Sequence, residues 1–184
     1  MASEAASPRG AEAVRSALLA AASDLFAARG PSHVSVREIA RAAGVNHGLV
    51  HHYYGSKEAL LRAVLDDLAA QSAIEVTDWD GRSALLDVDG PVGRHGRIVA
   101  HLLLEARNPA EVQTTFPAID ALRAELRSAG LSARASADRA ALVAALVLGW
   151  QLFEPFLAAA AGLDAEDRFD GELLADGVRR LLGA

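Results

Sequence analysis

Cysteine is absent from the 184-residue chain, which removes disulfides, thiolate metal sites and cysteine nucleophiles together. Aromatic residues are scarce at 5%. Six prolines and 15 glycines are too few for a proline-rich linker protein or a collagen. Lysine is almost missing as well: Lys57 is the only one, and the other 17 cations are arginines. Residues 1–10 (MASEAASPRG) lack the apolar stretch of a secretory signal and read as a disordered arm. Neither G-x-x-x-x-G-K-[ST] nor G-x-S-x-G occurs, so a phosphate loop and a nucleophile elbow are both excluded. No catalytic residue and no cofactor site stands out, and an enzyme is not expected.

What remains is apolar and helical. The 52% hydrophobic content is enough for a real core and too high for a disordered chain. Net charge is −6, but it is unevenly spread. Residues 1–60 carry six cations against five acids, while residues 61–184 carry 12 against 19. His33, His47, His51 and His52 add four potential protons to the first part. An acidic whole thus conceals a nucleic-acid-compatible beginning.

The run Ala140 to Leu163 is interrupted only by Gln151 and Glu154, and its length would span a bilayer. It is alanine-rich, however, and a central acid costs roughly 2.5–3.5 kcal/mol on insertion. Pro155 breaks a backbone hydrogen bond there, and no basic cluster flanks it. We expect no membrane span but a helix buried by core and subunit contacts, in a cytoplasmic protein.

Period-3.6 patterns cover nearly the whole chain. Val14, Leu18, Ala22, Leu25 and Phe26 mark a helix from Glu12 to Arg29, stopped by Gly30-Pro31. Ser35-Val36-Arg37-Glu38 is a capping box opening a short helix that Gly44 ends. Asn46 caps a second short helix, running to about Tyr53 before Gly55. Ser56 caps a longer one with Leu60, Leu61, Val64, Leu65 and Leu68 on one face. Residues 78–93 hold too many glycines and aspartates for more than a short helix. Further helices are expected from about Gly93 to Arg107, from an Asn108-Pro109 cap, and from near Pro117 to about Ser128. Ser136 is expected to start the long alanine-rich helix, and Asp167 or Asp170 the last. The fold class is all-α: an arm over 1–10, a three-helix segment over 11–56, and a longer helical segment over 57–184.

The two short helices around Ala43-Gly44-Val45-Asn46 make a helix-turn-helix. Ala40, Gly44 and Val45 supply the small, left-handed and locking positions, with Ile39 and Val50 inward. The second helix is too short to stand alone, so its neighbours must hold it and leave one face free. That face carries Asn46, His47, Gly48, Leu49, His51, His52 and Tyr53, mostly groove-compatible groups. His47 and His51 also have metal-ligand spacing, but no nearby carboxylate or cysteine completes a site, and no metal is expected. Tyr54 reads as core packing. Arg41 fits a solvated charge as readily as a phosphate contact.

From Ala17 to Leu65 the sequence resembles the TetR family of bacterial transcriptional regulators. The carrying residues are Leu25-Phe26, Gly30, Ser35-Val36-Arg37-Glu38-Ile39-Ala40, Ala43-Gly44-Val45 and Gly48-x-Val50-His51-His52-Tyr53-Tyr54-x-Ser56-Lys57-Glu58-x-Leu60. The resemblance implies phosphate contacts from Ser35, Arg37, Lys57, Tyr53 and His51, with His47, Leu49 and His52 at base edges and Gly48 allowing close approach. His51 stands where the family usually places a tyrosine, and histidine protonation near pH 6.5 would make affinity pH-dependent.

The resemblance also implies a homodimer on double-stranded DNA, packed through the last two long helices. Ala141, Ala144, Ala145, Leu148, Gly149 and Leu152, with Leu174, Val178 and Leu181, are the candidates. A small-molecule effector would sit among the middle helices, where His101, Glu105, Phe116, Trp150, Gln151 and Glu154 are the polar or aromatic residues available. The expected function is a repressor released from a palindromic operator by that effector. The rival is a protein-interaction bundle whose helix-turn-helix only packs; its DNA binding would be absent or insensitive to salt.

Overall fold

A computed structural model describes residues 10–77, 87, 89–163 and 171–182. The arm, apart from Gly10, lies outside these residues, as do residues 78–86 and 88 and both Asp167 and Asp170. Among the described residues there are nine α-helices and no strand. They are α1 (Ala11–Arg29), α2 (Val36–Ala42), α3 (Gly48–Tyr54), α4 (Lys57–Thr77), α5 (Pro91–Leu104), α6 (Pro109–Val112), α7 (Pro117–Ser128), α8 (Ala133–Ala160) and α9 (Gly171–Leu182).

Most helix ends follow the local signals. Gly30, at φ +81°, donates its N–H to Phe26 O and ends α1; Pro31 then opens a single 3-10 turn over Pro31–His33. Ser56 Oγ accepts from Ala59 N at the start of α4. Asn108 Oδ1 accepts from Ala110 N before α6, which has only four residues. Two ends differ from expectation. The long helix α8 is capped by Ser132, whose side chain accepts from Ala135 N, and Ser136 is buried one turn inside it. An earlier serine with an open amide to satisfy outcompetes a later one already within the hydrogen-bonded ladder. And α5 stops at Leu104, short of Arg107, because Ala106 turns left-handed (φ 56°). Its N–H bonds Leu103 O while Arg107 N–H bonds Leu102 O, the paired closure usually built on glycine.

The chain packs as two compact units. The first holds residues up to Asp67 together with Arg97–Thr114, and the second holds Leu68–Gly96 and Thr115–Ala184. The helices α4 and α5 therefore each contribute to both units, unlike the expected boundary at residue 56. In the first, Val14, Leu18, Ala22 and Phe26 of α1 are buried with Ile39, Val50, Leu60, Leu61, Val64 and Leu65. In the second, α7 and α9 pack on α8. Its core joins Val92, Leu122, Leu126, Ala140, Val143, Val147, Leu174 and Val178. Gly96 lets α5 come close to α8: a Cβ there would meet Leu148 Cδ2 at 3.1 Å.

Candidate nucleic-acid interface

The turn between α2 and α3 is closed by the backbone. Gly44 (φ +67°) donates to Arg41 O and Val45 donates to Ala40 O, so the last carbonyls of α2 are satisfied. Ile39, Ala40 and Val50 are buried, which fixes α3 against α2. The outer side of α3 is left to solvent: Asn46, His47, Gly48, His51 and His52 are exposed, and Leu49 and Tyr53 are half-buried. The short helix α3 therefore leaves these side chains exposed or half-exposed to solvent.

Its two ends are held by side chains. At the start, Asn46 Oδ1 accepts from Gly48 N at 2.9 Å. A Cβ on Gly48 would lie 3.3 Å from that oxygen, so the glycine makes room for this bond; the N-cap position itself is His47 and not the expected Asn46, and it has no side-chain cap bond. At the end, Gly55 N–H donates to His51 O while the His51 ring nitrogen Nδ1 lies 3.0 Å from Gly55 O. Tyr53 faces Arg15, whose guanidinium carbon is 5.4 Å from the ring centroid, and it meets His52 edge-on. Tyr54 donates its hydroxyl to Arg15 O. Burial pushes that phenol up from its ordinary value, in keeping with a packing role.

The start of α2 has the full capping box. Ser35 Oγ accepts from Glu38 N and donates to Glu38 Oε2, and Ser35 N–H also donates to Glu38 Oε2. Arg29 completes the set, bonding Glu38 Oε1 at 2.7 Å and His33 O at 2.8 Å. The Ser35 hydroxyl bond, then Arg29, then the Ser35 amide hold the Glu38 carboxyl down at about 2. Ser35 was expected to touch phosphate, but its one hydroxyl hydrogen is spent on Glu38. Arg37 is exposed and its guanidinium is the more available phosphate donor.

Lys57 Nζ donates to Pro31 O at 2.9 Å and to Val34 O at 3.1 Å. Two of its three hydrogens thus tie the 3-10 turn to the start of α4, leaving one for an anion. Nothing in the sequence signals these two bonds. His101 and Glu105, expected at an effector site, belong to the same unit. The space where a Gly30 Cβ would stand is 3.0 Å from His101 Nδ1. Ser32 donates to Glu105 Oε2, and the other Glu105 oxygen is 3.9 Å from His33 Nδ1. Arg107 pairs with Glu58.

The other four expected effector residues lie in the second unit. Phe116 is exposed at the N-cap of α7, Trp150 is half-buried against the core, and Gln151 and Glu154 are buried on α8. The expected dimer set needs correction. Leu174 and Val178 are 2% and 0% exposed and sit inside their own core, so they cannot reach a partner. Leu148 faces Gly96, and Leu181 packs against the core. Ala141 and Ala145 are exposed, and Ala144, Gly149 and Leu152 half-buried. Leu142, Phe153, Phe156, Leu157 and Leu173 are large and exposed. Spacing marked these helices as apolar but did not separate the inner face from the outer.

Comparison with known proteins converges on one class. A sequence model described as bacterial regulatory proteins, tetR family, matches residues 18–64. The chain is 40% identical over 162 residues to the HTH-type transcriptional repressor Rv3405c of Mycobacterium tuberculosis, spanning 85% of this chain and 82% of that one. Over 82 residues it is 40% identical to the HTH-type transcriptional regulator BetI of Rhizobium meliloti, spanning 40% of each chain. Among solved structures, the transcriptional regulator SCO4942 of Streptomyces coelicolor aligns with a TM-score of 0.63 at 28% identity, covering 91% of this chain and 97% of that one.

Proposed function

Because the chain belongs to the tetR family of bacterial regulatory proteins, which are DNA-binding transcriptional regulators and not enzymes, we propose that it is a cytoplasmic homodimeric repressor released from a palindromic operator by a small-molecule effector. The observation that carries the DNA-binding part is the solvent-exposed side of α3; on this reading His47, Leu49 and His52 meet base edges, while Tyr53, with Arg37 of α2 and Lys57 of α4, meets phosphates. The repressor reading draws on the likeness to Rv3405c, which is named a repressor. A pull-down of genomic fragments at two salt concentrations tests it. A recovered palindrome with steep salt dependence is expected; no enrichment at low salt would overturn it.

Dimerisation is supported by α8. Leu142, Ala145, Gly149, Phe153 and Phe156 recur at spacings of three and four on its outer side. The helix is long and apolar enough to cross a membrane by composition, but a second copy of the same stripe accounts for it. Light scattering at micromolar concentration should give twice the chain mass, and monomer alone would rule the dimer out.

Gln151 and Glu154, polar groups on buried turns of α8, support an effector site on that helix. His101 and Glu105, packed on Gly30 and Ser32, are better read as contacts through which α5 steadies the DNA-binding unit. Release requires the effector to prefer a state other than the DNA-competent one. A compound bound equally well by free and DNA-bound protein would eliminate that mechanism.

A further inference from the structure

His51 and Gly55 are joined twice, by Gly55 N–H to His51 O and by the ring nitrogen Nδ1 to Gly55 O at 3.0 Å. A carbonyl oxygen only accepts, so Nδ1 must carry the hydrogen. The tautomer is thereby fixed: in neutral His51 the outward nitrogen Nε2 is a bare acceptor. His51 is exposed, and among the described residues its ring makes no other hydrogen bond. Phosphate oxygens are acceptors too. A neutral His51 therefore has nothing to offer a phosphate, whereas the imidazolium offers an N–H and a positive charge.

Position favours the phosphate over a base. The first residues of a recognition helix reach base edges, whereas the ring of His51, one turn beyond His47, is tied back to Gly55 O at the far end of α3. We propose that His51 is a proton-gated phosphate contact, gripping the DNA backbone through Nε2 only as the imidazolium, so that each protomer takes up a proton on binding. The proposal rests on the DNA-binding reading above.

The surrounding charges leave that gate to the DNA. On α3 itself stand His47 and His52. Arg15 reaches over from α1 to Tyr53, and α2 carries Arg37, Glu38 and Arg41. The first turn of α4 carries Lys57 and Glu58. Glu38 is held by Ser35 and Arg29, and Glu58 by Arg107. None of these groups hydrogen-bonds His51, and the phosphate is the anion that would stabilise its charge. A phosphate beside the imidazolium favours the protonated form, so binding should be tighter at low pH than at high pH.

The test measures affinity for a generic 30-base-pair duplex at constant ionic strength, at pH 6 and pH 8, with the full chain. A generic duplex suffices because phosphate contacts carry no sequence information. Wild type should bind about tenfold more tightly at pH 6. Its salt slope should also be steeper there by roughly 0.9 per protomer. His51→Gln should abolish both differences. His51→Tyr, with a hydroxyl donor at either pH, should bind well and without pH dependence. A flat wild-type profile overturns the proposal, as does a slope that survives in His51→Gln. Tighter binding at pH 8 would mean that Nε2 accepts from a base amino group, which also overturns it. No binding at low salt at either pH removes the DNA-binding reading itself, and the proposal with it.

Discussion

Gly30 combines φ +81° and ψ 147°, a region almost closed to side chains, with a histidine ring where its Cβ would go. Gly30→Ala should therefore destabilise the chain by about 1–3 kcal/mol from the backbone alone, measured by urea denaturation. Ala106 has the opposite fault, an alanine in the left-handed position that closes α5. Ala106→Gly should raise stability by about 1 kcal/mol in the same assay. Glu38 supplies a pH dependence. Its carboxyl titrates near 2 in the folded chain against an ordinary 4.5, so folding favours the ionised form. That stability is present above about pH 4.5 and lost as pH falls toward 2. Glu38→Gln should flatten this acid limb of the urea midpoint against pH, and an unchanged limb would contradict the assignment. At this scale the sequence was partly legible. Ser35 and Glu38 announce their box by spacing, because a cap is a local interaction. The Lys57 bonds to Pro31 and Val34 and the His51 bond to Gly55 depend on where carbonyls point after the turns close, and no residue pattern encodes that.

Among the elements, helix existence was readable nearly everywhere, since apolar spacing reports the face that packs. The ends were less so. Ser132 and Ser136 are both plausible caps by type, and only the ladder itself chooses between them. Ser132→Ala should cost about 1 kcal/mol, whereas an unchanged denaturation midpoint would mean the first turn of α8 contributes nothing. Crowding sets the second unit: Gly96 against Leu148 and Gly177 against Leu146 each admit a Cβ only at 3.1–3.2 Å. These close approaches hold α8 between α5 and α9. They also explain why Leu148 is unavailable to a partner.

For the whole molecule, the proposed dimer rests on the outer stripe of α8. Phe156 is 68% exposed, and Phe156→Glu should give a monomer by light scattering. Operator affinity should then fall by about a hundredfold, as two half-sites are no longer bound together. Gly149 distinguishes the alternatives more finely, because nothing lies within 4 Å of its Cβ position. If that face is free, Gly149→Ala should stabilise the chain by about 1 kcal/mol through helix propensity alone; if a partner helix crosses there, it should weaken self-association. The exposure of α3 was legible because so short a helix, packed on one side, cannot hide its outer residues. The exposed stripe of α8 was not, since buried Leu174 and exposed Phe156 look alike to a hydropathy pattern. One last consequence concerns chemistry in a tube. Only one side chain in all 184 residues carries a primary amine, and in the folded chain it is tied to two carbonyls of a turn. Acylating reagents should therefore label Lys57 slowly, at a rate set by how often that turn opens, so the mass of one adduct on one peptide reports the local breathing of the DNA-binding unit.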